Sequence, residues 1–178
     1  MDENLRIAVL AAITEKQPKI GKTSIMKYMF FLQHCFKVNL GYHFSIYTYG
    51  PYSQDVIGDL NLAVHYKAVN SLYVDLIRYG GYQFTLGENS KTFIERCRDY
   101  LRQIEPHIDR LVCLFSTKYA KDMELLATIA YTHIAISRQN QDLAKVPSVV
   151  KAIKPHFEES EIAANYMWLK QQNVFSGP

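Results

Sequence analysis

Apolar positions near the start of the chain recur at helical spacing, and further along they switch to strict alternation. Leu5, Val9, Ala12 and Ile13 follow Asp2 and Asn4, either of which can cap a first helix, and Gln17, Pro18 and Gly21 interrupt it. A second helix is predicted to open with Thr23 as its cap. It carries Ile25, Met29, Leu32 and Phe36 on one stripe and Tyr28, Phe31 and Cys35 beside it, a width that predicts a central helix. From Tyr42 the period becomes two: Tyr42, Phe44 and Ile46 alternate with His43, Ser45 and Tyr47, which predicts a short strand ended by Gly50 and Pro51. Ser53 is the expected side-chain cap of a third helix running to Lys67, with Val56, Leu60 and Val64 facing inward. Two further alternating runs, Ser71 to Ile77 and Tyr82 to Leu86, flank an Arg78-Tyr79-Gly80-Gly81 turn and predict a hairpin.

Helix, helix, strand, helix and two-stranded hairpin is the order of a winged helix-turn-helix unit. After Asn89 and Ser90 the pattern is helical throughout: Phe93 to Leu101, then Ile104, Ile108, Leu111 and Phe115, then Met123 to Ile136, then shorter helices around Val149 and Ile162. Pro106 suits the first turn of its helix, and Pro147 and Pro155 divide the last segments. The expected fold class is therefore mainly α (α+β). A winged-helix-like unit with a small β element spans 1–88, and a helical C-terminal extension, 89–178, packs on it to make one compact domain.

Composition narrows the function. With 178 residues the chain can bury one sizeable core, and 20 Lys+Arg against 17 Asp+Glu give a net charge of +3, too small for a protein that coats nucleic acid or anionic lipid. The cysteines Cys35, Cys97 and Cys113 are far apart and odd in number, and they read as reduced core thiols of a cytoplasmic protein. The apolar run Ile7 to Ile13 is too short to span a bilayer, so neither signal peptide nor membrane anchor is expected.

Candidate chemistry is sparse. Ile20-Gly21-Lys22-Thr23-Ser24 resembles the end of a phosphate-binding loop, but the position of the required earlier glycine is Lys16 and a helix, not a strand, precedes it. A polar turn is the better reading. His34, His43, His65, His107, His133 and His156 form no HxxxH or HExxH pair and the cysteines form no CxxC, so no metal ligand is nominated. His133, inside an apolar helix, reads as a core histidine with a hydrogen-bond partner. Ser, His and Asp are scattered without a nucleophile-elbow pattern, so no catalytic or cofactor-binding residue is assigned.

Two binding readings remain. A DNA reader would use Lys16, Lys19, Lys22 and Lys27 around the first turn with Arg78 at the wing tip, yet Asp55 and Asp59 lie together on the predicted recognition helix, where phosphate would meet the wrong sign. The tyrosines supply the other reading. The alternation puts His43, Ser45, Tyr47 and Tyr49 on one side of the strand and Phe44 and Ile46 on the other. If the first side faces solvent it is an aromatic, weakly charged protein-binding surface, with Tyr47, Tyr49, Tyr52 and Asp55 as contacts and Asp75 and Arg78 at its rim. If the C-terminal helices cover it, the hydroxyls are bonded internally.

Several segments resemble the YwgA-like and Panacea (SocA-like antitoxin) group of bacterial, archaeal and phage proteins. They are Lys19 to Thr23 leading into Met26 to Gln33, Tyr47-Thr48-Tyr49-Gly50-Pro51-Tyr52-Ser53 followed by Asp59-Leu60, Glu124 to Tyr131, and Val150 to Ile162. Ile25-Met26-Lys27-Tyr28 stands where Panacea members typically carry a Leu-Gln-Lys-Leu-like run, which places the chain nearer the YwgA-like branch. The resemblance implies a mainly helical protein with a winged-helix-like element, no established catalytic residues, and relatives that neutralise toxins or present them to proteases. The expectation is a non-catalytic regulatory protein acting through a protein partner, antitoxin-like or connected with phage defence. A DNA-binding transcriptional regulator is the first alternative and an enzyme of dispersed residues the second, and a homodimer is left open.

Overall fold

The computed structural model describes residues 2–76 and 79–175, and Arg78 lies outside them. Among the described residues the fold is α+β and mainly helical, with eight α-helices and two small antiparallel sheets. Helix α1 (Glu3–Lys16) starts where expected, the Asp2 carboxylate accepting from the Asn4 amide. Every side chain from Ile7 to Thr14 is buried, so the middle of α1 is enclosed all round and as central as α2. The spaced stripe understates this because Ala8 and Ala11, short enough for neighbours to approach closely, lie outside it.

Strand β1 (Ile20–Gly21) is unforeseen, being too short to show a period. It makes Gly21, not Thr23, the N-cap of α2 (Lys22–His34), with no capping side chain. Strands β2 (Ser45–Tyr47) and β3 (Gly50–Tyr52) form a two-stranded sheet, so Gly50 and Pro51 begin a second strand rather than end the first. Ser53 does occupy the N-cap position of α3 (Gln54–His65), but its hydroxyl is buried with no partner among the described residues.

Strands β4 (Val69–Leu76) and β5 (Tyr79–Leu86) pair antiparallel, Tyr73 opposite Tyr82, and β1 lies along the far edge of β5 with Ile20 opposite Phe84. Tyr79, Gly80 and Gly81, expected in the turn, belong to β5.

The remaining helices are α4 (Ser90–Arg96), α5 (Arg98–Phe115), α6 (Ala120–Arg138), α7 (Val146–Ile153) and α8 (Glu159–Gln171). Leu101, Ile104, Ile108, Leu111 and Phe115 form the buried stripe of α5. Pro106 lies inside α5, not in its first turn; both it and Arg102, whose carbonyl loses its helical donor, face water, which can supply the missing hydrogen bond. Helix α1 packs on α3, α4 and α5, and α2 packs on α5 and α6, so the C-terminal helices share the core of the N-terminal unit. Cys35 is buried and Cys97 half-buried, whereas Cys113 is exposed on α5 and is no core thiol. None of the described helices is long and apolar enough to cross a membrane.

Candidate functional site

The segment from Tyr42 to Ser53 is anchored before it becomes a strand. The Gln33 side-chain amide of α2 acts as a surrogate strand partner: its oxygen accepts from the Tyr42 amide at 2.8 Å and its nitrogen donates to the Tyr42 carbonyl at 2.7 Å. The Tyr42 hydroxyl donates to Asp59 at 2.7 Å, and Arg6 pairs with the same carboxylate at 2.7 Å. Burial, then the Asp59 carboxylate, hold the Tyr42 phenol neutral well above its ordinary range. Phe44 follows on the inner side, its ring edge-on to Phe30.

The predicted alternation is present: Tyr42 and Phe44 are buried, while His43, Ser45 and Tyr47 are exposed. Tyr47 and Tyr49 are 68% and 66% exposed, so the C-terminal helices do not cover them. Tyr52 is half-buried, stacks obliquely on Tyr47 with centroids 5.8 Å apart, and donates to Gln54 at 2.6 Å. Asp55 is exposed in the first turn of α3. Beside Tyr47 an open hollow of about 400 Å³ extends to Ile153, Lys154 and His156.

Beneath the turn lies a buried ionic network. Lys27 Nζ donates to the Pro51 carbonyl at 2.7 Å, and Lys154 Nζ donates to the Thr48 carbonyl and to Glu124 Oε1, the latter at 2.7 Å. Two ammonium groups thus hold the backbone on both sides of Tyr49. Burial pulls Lys27 down to about 8, with Glu124 opposing that fall and Lys154 adding to it. Gly50 has φ +84°, and a Cβ there would lie 2.8 Å from Thr128 Oγ1 and 3.2 Å from the Glu124 carbonyl. Glycine is therefore required both by conformation and by the close approach of α6.

This arrangement corrects two sequence-based expectations. Lys27 is a buried clamp, not a phosphate-facing cation, and Asp59 is a buried partner of Arg6 and Tyr42, not a surface companion of Asp55. Of the other basic candidates, Lys16 bridges Glu105 and Asp109, while Lys19 and Lys22 are exposed. His133 does have a hydrogen-bond partner, the Tyr166 hydroxyl at 2.9 Å, but is only half-buried. Sequence reasoning missed Glu124, Thr128 and Lys154. A signal existed for two clamp residues: Lys27 and Glu124 each interrupt an otherwise apolar helical run, where a charge must find a buried partner.

No family model matches the chain, and no curated protein matches it with significant similarity.

Proposed function

We propose that this is a non-catalytic regulatory protein that binds another protein through Tyr47, Tyr49, Tyr52 and Asp55. The observation that carries the reading is an exposed aromatic turn whose backbone is locked from below by two buried lysines. A surface already held in its binding conformation loses little freedom on association, and tyrosine supplies large contact area with few rotatable bonds. The N-terminal unit is proposed to be winged-helix-like: a strand between α1 and α2 pairs beside the hairpin that follows α3, giving the order β1-β5-β4. The resemblance to YwgA-like and Panacea proteins supports a toxin–antitoxin or phage-defence setting in the cytoplasm, where unpaired thiols stay reduced.

Duplex DNA is the less favoured partner. Helix α3 presents Gln54, Asp55, Gly58, Asn61 and His65 to solvent, without an arginine or lysine for base edges or phosphate. Replacing Tyr49 by photoreactive p-benzoylphenylalanine tests the protein-binding reading. One defined protein should be crosslinked in the native host and should be absent when the same group replaces Tyr82 of β5. An identical product from both positions overturns the assignment.

A further inference from the structure

The histidines that form no motif in the sequence are partly gathered by the fold. His34 at the end of α2 and His133 on α6 line one cavity of about 140 Å³, together with Lys37, Ser137 and Arg138. A second cavity of about 100 Å³ shares His34, Ile134 and Arg138 with the first and is walled by Phe30, Phe44 and Tyr131. The two lie side by side around His34, Ile134 and Arg138, an aromatic-walled slot next to a polar mouth. We infer that this composite pocket binds a small aromatic carboxylate, its ring in the slot and its carboxylate at Arg138 and Lys37.

Charge is the first argument. No acidic side chain lines either cavity, and among the described residues neither Arg138 nor Lys37 has a carboxylate within ion-pair distance, in contrast to Arg6, Lys16 and Lys154. Among the described residues Lys37 donates only to the His34 carbonyl. Two uncompensated cations at the mouth repel a metal ion and attract an anion.

The state of His34 is the second. The Gln33 amide is oriented by its two bonds to the Tyr42 backbone, so the atom it turns toward His34 Nε2, at 3.2 Å, is the donating nitrogen. Nε2 therefore accepts, and the neutral ring carries its proton on Nδ1. Burial, followed by the charges of Arg138 and Lys37, pulls this histidine down to about 4. Its environment is positive and lacks the counter-charge that an anion would bring.

Shape is the third. The Phe30 ring lies 5.1 Å from His34 and edge-on to Phe44 at 5.4 Å, so these rings pack on one another as a single aromatic wall against which one planar group can lie. An apolar cavity of about 150 Å³ accepts a benzene ring, whereas drug-sized ligands occupy pockets of roughly 300 Å³ or more; the slot and mouth, about 100 and 140 Å³, lie between these bounds only together, so the site suits a single ring that reaches across both. Inorganic phosphate would engage the mouth and leave the slot empty, and a neutral ring would do the reverse. The adjacent Cys35 thiol is buried and pushed up to about 12, so the pocket is suited to binding without covalent chemistry.

The test is a titration of the full chain with benzoate, benzamide, acetate and phosphate, followed by side-chain NMR of His34, His133 and Ile134. Benzoate should bind at least tenfold more tightly than the other three and should raise the pKa of His34. Arg138→Gln with Lys37→Gln, two surface changes whose folding is checked by thermal melting, should lower benzoate affinity at least tenfold and leave benzamide unchanged. Ala135→Phe, which fills the slot, should abolish binding of both rings. Equal affinity for benzoate and benzamide, tighter binding of phosphate, or benzoate binding indifferent to the double substitution would each overturn the inference.

Discussion

Two hairpins carry tyrosines to the surface, and they differ in what lies beneath. Tyr47 and Tyr49 crown the short β2–β3 hairpin, while Tyr73 and Tyr82 face each other on the long β4–β5 hairpin at 56% and 48% exposure. The long hairpin is held at its base, where Val69 and Phe84 enter the core and the exposed Lys67–Glu88 pair joins the flanking chain. The short one is held directly under its turn, by Lys27, Lys154 and Glu124. Exposure of aromatic rings therefore does not separate a binding surface from a solvated one. The proposed binding role rests instead on the fixed backbone that carries them, because fixing it removes an ordering cost from association.

The comparison breaks first at its charges. Glu124→Gln leaves two ammonium groups buried without their carboxylate and is expected to cost about 3–5 kcal/mol by chemical denaturation. Glu88→Gln, in the exposed pair beside the long hairpin, should leave the denaturation midpoint unchanged. A smaller effect separates the hairpins by pH. Lys27 titrates near 8 in the folded protein and near 10.5 when unfolded, so between these values the unfolded chain holds more protons and stability rises with pH. The native chain should gain about 3 kcal/mol over that window relative to Lys27→Met. Because the substituted chain retains every tyrosine, the difference isolates the lysine. Of comparable or smaller size, Gly50→Ala should cost about 1–3 kcal/mol through its left-handed conformation and the crowding by Thr128. Gly81→Ala on β5, where a Cβ meets open space, should stay within about 0.5 kcal/mol.

Much of the fold is legible in the sequence where one periodicity holds over several residues. The Asp2 cap, the Tyr42 to Tyr47 alternation, the β4–β5 hairpin and the stripe of α5 all follow from local pattern. Strand β1 is too short to have a pattern, and β3 is hidden because Gly50-Pro51 signals a turn whenever its neighbours are unknown. Pro51 fits there because the strand is at an edge and its carbonyl is taken by Lys27. The tyrosine surface was visible, but its support was not: Lys27, Glu124 and Lys154 come from three distant segments and meet only when α6 packs on α2. Asp59 illustrates the same limit, since spacing places it on a helix face without revealing that Arg6 and Tyr42 close over it.

The most direct test compares the partner retained by two doubly substituted chains. Tyr47→Ala with Tyr49→Ala and Tyr73→Ala with Tyr82→Ala should each shift stability by no more than about 1 kcal/mol, because all four residues are about half solvent-exposed or more. On copurification from native extract, the first pair should lose a stoichiometric protein partner that the second pair and the unmodified chain both keep. Retention of that partner by Tyr47→Ala with Tyr49→Ala would contradict the assignment of the short hairpin as the binding surface.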